Sequence, residues 1–338
     1  MSDDSTFPPR ERPRVLFLRR MRRFRGAHLT MWHYFGHVEA AGFEPHIWFA
    51  EGTTWTADNP WRAVRERVVG TWQPQDFDAL VLGGMDWEFL APDLRDAPPL
   101  PVLSLVLHVR RADPADAAFG YLRHPAIRIG ATSDLVSRLR DCGAANGPVV
   151  LNPHGLDTSA MPEARADSAR DFDAVILGVK QPDLARRLAR RLRWSVGTFG
   201  ARVETIADPL PRADLLARFA RARVAVLLPH AEEGFYRPPL EAMALGALVV
   251  CPRFDGNRDL CVAGTNCLMP AYDEDAILRA IREALRLHGA ARASLVAAAR
   301  ERAWSWTLDD ERRGLCEILR TQALAGRWPA SQAMLAGR

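Results

Sequence analysis

The chain reads as an α/β protein of two doubly wound domains, each a parallel sheet between layers of helix. Three observations predict this. Short apolar runs alternate with helical stretches along its 338 residues, the pattern that puts helices on both faces of a parallel sheet. Two segments echo each other, DFDALVLGG from Asp76 and DFDAVILGV from Asp171. Each is an acidic entry, a buried strand and a glycine turn. The length also suits two domains of ordinary size.

The elements follow in order. Val15–Leu18 predicts the first strand and His28–Ala41 a helix, with RRMRRFRGAHL between them. In a doubly wound domain the loop after a strand opens at the carboxyl edge, where ligands bind. Arg19, Arg20, Arg22, Arg23 and Arg25 are therefore expected to line or rim a site, and Gly26 to let the backbone approach a ligand. Arg23, Arg25 and His28 are the candidate acceptor-binding residues, for an anionic acceptor or a phosphate. The same loop would suit an anionic membrane surface, or simply water in an arginine-rich chain. Leu103–His108 is an apolar strand ending in His108. Ile127–Gly130 reads as a strand and Ser133–Cys142 as a helix. Thr158–Arg170 lacks periodicity and reads as a linker. The expected division is 1–160, 161–305 and a tail at 306–338 carrying a helix over Ala303–Ala323.

In the second half, DAVILGV leads through Gly178 to Lys180, the one lysine among 45 basic residues. Lysine is a compact charge suited to phosphate, and Pro182 opens a helical run behind it. Val224–Leu228 is apolar. There follows EEGFYRPPLEAMALGALVV from Glu232. Pro238 and Pro239 suit a helix start, LEAMAL is a strong helix former, Gly246 suits its end, and Leu248–Cys251 reads as a buried strand. Glu233 then lies on the loop before the helix and Glu241 in its first turns. Free N–H groups at a helix start attract phosphate, and carboxylates accept hydrogen bonds from sugar hydroxyls. By spacing alone, two glutamates eight apart also fit a solvated surface. Asp273–Leu287 reads as a further helix.

Composition narrows the function. No apolar run reaches membrane-spanning length, and the start MSDDSTFPPRERPR is not a secretory signal, so the expected compartment is the cytoplasm. The cysteines Cys142, Cys251, Cys261, Cys267 and Cys316 show no zinc spacing. The formal charge of +4 is modest, and arginine in place of lysine throughout reflects coding bias more than a nucleic-acid partner, so none is expected. No G-x-G-x-x-G or P-loop motif occurs.

The stretch from Glu233 resembles the retaining glycosyltransferases of the two-Rossmann (GT-B) type, above all the large family 4. Their signature is a glutamate, seven residues and a second glutamate, within E-G-F-G and P-x-x-L-E-A-M-A-x-G-x-P-V-V. The matching residues are Glu233, Gly234, Phe235, Leu240, Glu241, Ala242, Met243, Ala244, Gly246, Val249 and Val250. The resemblance implies two Rossmann-like domains facing a central cleft, and transfer of a sugar from a nucleoside-diphosphate sugar. No metal and no other cofactor are expected. It implies that Glu233 lies against the donor sugar, that Glu241 binds the ribose, that Lys180 contacts the diphosphate and that His108 touches the sugar. Glu233, Lys180 and His108 are the candidate catalytic residues. Gly178, Gly234, Phe235, Tyr236, Arg237, Glu241 and Gly26 complete the donor set, with Arg258 and Asp259 from FDGNRDLCVAGTN. Tyr236 stands where the family has glycine, Asp259 where it has glutamate, and His154 where it has asparagine. The acceptor would be a sugar, lipid, protein or small molecule. The other large glycosyltransferase fold holds a metal on Asp-x-Asp. Both DFD pairs precede their strands, at the edge away from the ligand. The rival readings are a nucleotide-sugar epimerase or hydrolase on this fold, and a non-catalytic nucleotide- or nucleic-acid-binding protein.

Overall fold

The computed structural model describes residues 12–24, 26–194 and 200–324. They form two compact units. The first takes the chain to Ala131, Leu135–His154 and the chain from Leu308. The second takes Thr132–Asp134 and Gly155–Thr307.

The first unit holds seven strands: β1 (Arg14–Arg19), β2 (Glu44–Phe49), β3 (Val68–Val69), β4 (Ala79–Gly83), β5 (Val102–Val106), β6 (Ile127–Gly130) and β7 (Val149–Leu151). Their order is β3-β2-β1-β4-β5-β6-β7, and every pairing is parallel. Helices α1 (Gly26–Ala40), α2 (Pro92–Asp96) and α3 (Ser133–Asp141) join them. Val15, Leu16, Phe17 and Leu18 are fully buried. A strand covered on both faces reads as a continuous apolar run, not an alternating one. Phe17 packs on Phe35, and Trp32 and Trp61 meet edge to face behind them. These tryptophans belong to the core.

The second unit holds β8 (Phe172–Leu177), β9 (Val203–Ile206), β10 (Ala222–Leu227) and β11 (Leu248–Val250). They run parallel in the order β11-β10-β8-β9. Its helices are α4 (Pro182–Arg193), α5 (Arg212–Ala220), α6 (Pro238–Ala244), α7 (Glu274–Arg286) and α8 (Gly289–Trp304). On α4, Ala185, Leu188, Ala189 and Leu192 face inward, the i, i+3, i+4, i+7 spacing of an amphipathic helix. Asp273 caps α7 by accepting from the Ala276 amide at 2.8 Å, which fixes its start. Chain order in the sheet reverses between β8 and β10. That reversal opens a crevice at the carboxyl ends of these two strands.

The segment from Thr158, expected to be a plain linker, ends on a buried guanidinium. Arg170 is 5% exposed and donates to the carbonyls of Phe219, Ala220, Ala222 and Leu245. It ties the end of α5, the start of β10 and the end of α6 together.

The helix expected over Ala303–Ala323 is two elements. α8 stops at Trp304, and α9 (Leu308–Ile318) begins after a break. The break has a cause. The Ser305 hydroxyl turns back to the Arg302 carbonyl, and the Trp306 carbonyl accepts from the Leu156 amide at 2.7 Å. α9 and a wider turn at Leu319–Ala323 pack into the first unit's core through Leu315, Ile318 and Leu319. There Glu311, 1% exposed, lies between His154 at 2.9 Å and His37 at 3.4 Å. Asn152 donates to Tyr34 and to the Glu311 carbonyl. The expected tail beyond residue 324 lies outside the described residues. Among the described residues no helix is long and apolar enough to cross a membrane.

Candidate active site

Lys180 and Glu233 come from the two sides of the β8/β10 reversal. After β8 the chain turns at Gly178, whose carbonyl accepts from the Gln181 amide at 2.8 Å. A Cβ on Gly178 would fall 2.2 Å from the Cβ of Ala185. Only glycine lets α4 sit this close to the strand end, and that closeness sets Lys180 at the crevice. The Lys180 ammonium donates to Glu233 Oε1. Glu233 is 2% exposed, so its carboxylate has lost most of its water. A desolvated carboxylate needs a paired cation. The ammonium also lies 5.3 Å from the centroid of the Tyr236 ring, a favourable cation–π placement. Tyr236 is itself buried and packs edge-on to Phe254. Burial pushes its phenol well above the usual range, so it stays neutral.

The loop carrying Glu233 is braced from behind. A Cβ on Gly256 would meet the carbonyl oxygens of Gly234 and Glu233 at 2.3 and 2.4 Å. Backbone therefore crosses backbone directly under the glutamate. The Gly234 carbonyl accepts from the Thr132 hydroxyl at 3.0 Å. Tyr272 donates its hydroxyl to the Pro229 carbonyl, and burial pushes its pKa up to about 12. Gln181 and His230 approach at 3.4 Å. Cys251, Cys261 and Cys267 are free and buried beneath this loop.

Glu241, 6% exposed, sits in the first turn of α6. Arg212, the first residue of α5, donates from Nε to Glu241 Oε1 at 3.0 Å and from Nη2 to the Asp157 carbonyl at 2.6 Å. Its Nη1 lies 3.2 Å from Asp157 Oδ2. Sequence reading missed Arg212, Gly256 and Tyr272. Their partners lie far along the chain, and arginine is too common here to stand out.

The other expected residues lie as follows. Phe235 stacks on Trp306 at 6.0 Å, and Arg237 lies over the Phe235 ring. Arg237 also approaches the Gly155 carbonyl at 3.4 Å. Asp259 accepts from the amide and hydroxyl of Ser133, a helix cap, and Arg258 pairs with Asp134. In the first unit, Gly26 opens α1 and nothing lies within 4 Å of where its Cβ would stand. His28 is buried, its Nε2 3.4 Å from the Arg20 carbonyl. Arg23 is exposed, and Arg25 lies outside the described residues. The strand expected to end in His108 stops at Val106, and His108 lies two residues beyond it in extended backbone. Arg19 is turned inward onto Asp86 and the Gly83 carbonyl, whereas Arg20 pairs with Glu88 at the surface. Those two arginines are therefore already committed to partners. Asp171 pairs with Arg221 and Arg165, and Asp173 with Arg202 and Arg223. Among the described residues no three His, Cys, Asp or Glu side chains gather as a metal site would require.

Residues 155–286 match the family described as glycosyl transferases group 1. None of the curated proteins matches the chain. Among solved structures, it resembles a sucrose-phosphate synthase from Thermosynechococcus elongatus with TM-score 0.67. Identity there is 14%, over 92% of this chain and 99% of that one. Anabaena HepE in complex with UDP and glucose gives TM-score 0.67 and 14% identity, over 91% of this chain and 99% of that one. An α,α-trehalose 6-phosphate synthase from Burkholderia multivorans gives TM-score 0.62 and 12% identity, over 93% and 100%. At these identities the likeness is one of fold. It is the two-Rossmann, GT-B type.

Proposed function

From the match of residues 155–286 to the glycosyl transferases group 1, we propose that the chain transfers a sugar from a nucleoside-diphosphate sugar with retention of configuration. The observation that carries this reading is the Lys180–Glu233 pair at the β8/β10 reversal. The HepE structures held UDP with glucose and, separately, UDP-glucose, which supports a uridine or related nucleotide here.

The roles follow from charge and placement. The diphosphate gains negative charge as the glycosidic bond breaks. Lys180, its side chain one-third exposed, moves from Glu233 onto that phosphate and stabilises the leaving group. With a cation built into the strand-to-helix turn, this step runs without a metal. Glu233, freed from Lys180, accepts hydrogen bonds from the donor sugar and orients it, without forming a covalent bond to it. Glu241 accepts from the ribose hydroxyls. Gly178, Gly234, Phe235, Tyr236, Arg237, Arg258, Asp259 and Gly26 shape the donor's surroundings, and His108 contacts its sugar. Arg23, Arg25 and His28 hold the acceptor, whose hydroxyl attacks from the face the diphosphate leaves. The enzyme works in the cytoplasm, with the exposed arginines of the first loop able to meet an anionic membrane face.

The test is donor turnover with UDP-, GDP-, ADP- and dTDP-sugars, without acceptor and without metal, beside Lys180→Ala and Glu233→Ala. Slow release of one nucleotide, lost in both variants, is the expected result. Turnover equal in wild type and variants, or strictly dependent on added metal, would overturn the proposal.

A further inference from the structure

Arg212 spends its guanidinium on two acids at once. Nε reaches Glu241 Oε1, Nη2 the Asp157 carbonyl and Nη1 the Asp157 carboxylate. The side chains of Arg212, Glu241 and Asp157 are 21%, 7% and 10% exposed, so the three charges meet largely out of water. A planar fork can serve three oxygens in fixed directions, and an ammonium cannot. Asp157 is held from its other side as well, accepting from the amide and hydroxyl of Ser159 through Oδ1. Arg212 is therefore anchored on a fixed acid, and Glu241 is held by an anchored arginine.

Two consequences follow for Glu241. Its Oε1 is held by Arg212, which restrains how the carboxylate turns. Among the described residues no donor reaches Oε2, which remains an acceptor. The guanidinium's charge is shared with Asp157, so Glu241 is not fully neutralised and keeps its accepting strength. Nothing in the packing of α6 calls for this device. An apolar residue at position 241 would bury as well and would need no partner.

We propose that Arg212 is a positioning residue for the donor nucleotide. It clamps Glu241 by Oε1 so that Oε2 meets the ribose hydroxyls in one orientation, an inference that rests on the ribose role of Glu241 given above. Without the clamp, Glu241 gains rotamers and faces Asp157 as a like charge. Recognition of the hydroxyls then weakens, whereas the chemistry at the sugar, carried by Lys180 and Glu233, changes little.

The experiment measures binding of UDP, GDP and ADP, and of their 2′-deoxy counterparts, to the full chain by calorimetry. It uses wild type, Arg212→Gln, Arg212→Lys, and Glu241→Gln, with KM and kcat for donor turnover alongside. Wild type should prefer ribose by about tenfold or more, the effect of leaving a buried acceptor without its donor. Arg212→Gln should lose most of that preference and raise KM, with kcat within about threefold. Arg212→Lys should fall between, since it restores charge without the fork. The ribo-to-deoxy ratio does not depend on how much of a variant is folded, so a purely structural role would leave it unmoved. Ribose preference kept in both Arg212 variants but lost in Glu241→Gln would overturn the clamp alone. Preference unchanged in Glu241→Gln, or no ribose preference in wild type, would overturn the ribose role of Glu241 and the clamp with it.

Discussion

The Lys180 ammonium is held between the Glu233 carboxylate and the face of the Tyr236 ring, whose centroid is 5.3 Å away. One side of the cation is met by a full negative charge and the other by an aromatic face. In the proposed reaction, phosphate takes Lys180 and Glu233 exchanges this counter-ion for hydroxyl donors. Donor binding thereby exchanges one satisfied arrangement for another.

This exchange predicts a stability signature. Lys180→Met takes the ammonium partner from the buried Glu233 carboxylate and should cost about 1–3 kcal/mol of unfolding free energy. Glu233→Gln in the same chain should return most of the loss, since the amide carries no charge. Urea unfolding of the two single variants and the double variant measures the coupling. Additive losses would mean that the pair is not formed in solution.

Gly256→Ala should damage the site from beneath. The new methyl would meet two carbonyl oxygens below 2.5 Å, and backbone cannot yield as a flexible side chain does. The Glu233 loop must shift, and donor turnover should fall by about a hundredfold, as a displacement near 1 Å commonly brings. Gly264→Ala is the contrasting variant: nothing lies within 4 Å of its Cβ position, so only its positive φ is strained, and turnover should change little.

Arg170→Met should be among the more destabilising single changes in the second unit. It strips the donor from four carbonyls at the α5, β10 and α6 junction, each worth about 1 kcal/mol or more when buried. Thermal unfolding with a loss of about 3 kcal/mol or more is expected. A loss below about 1 kcal/mol would mean that water reaches the junction.

Asp86 sets a pH dependence in the first unit. Burial pushes its pKa up from the ordinary 3.8 to about 6, against the pull of Arg19. The folded chain then holds a proton that the unfolded chain has released. Stability from this group is full below about pH 4 and is lost as pH rises to about 6. Its loss should amount to about 2–3 kcal/mol. Asp86→Asn cannot titrate, so the difference between wild type and variant across pH 4–7 isolates the effect. A difference that grows in the opposite direction would show that Arg19 prevails over burial.

How much of this could be read from the amino acids alone depends on the range over which each residue acts. The strands Val15–Leu18 and Ile127–Gly130 and the α6 region were legible because their signals are local: apolar runs, prolines at a helix start, glycine at its end. Lys180 was legible through rarity. Arg170 and Arg212 were not, since each is one arginine among many and its meaning lies in partners set by the fold. The break at Ser305–Thr307 was hidden for a related reason. Trp306 and Thr307 stop the helix by pairing with Leu156, about 150 residues earlier in the chain, and the local mark is only the Ser305 hydroxyl turned back to Arg302. α8 escaped notice because its alanine-rich turns carry few apolar side chains on one face.

The return of α9 to the first unit orders events during synthesis. Apart from Thr132–Asp134, the second unit is one continuous stretch, Gly155–Thr307, whereas the first is completed only by the chain from Leu308. A growing chain can therefore finish the second unit while the first still lacks the helix that fills its core. Until Glu311 arrives, His37 and His154 lack their shared carboxylate. Gly314, where a Cβ would fall 2.1 Å from Asn152 Oδ1, has yet to let that helix lie flat. Among the described residues, the last turns made are those that close the first domain begun.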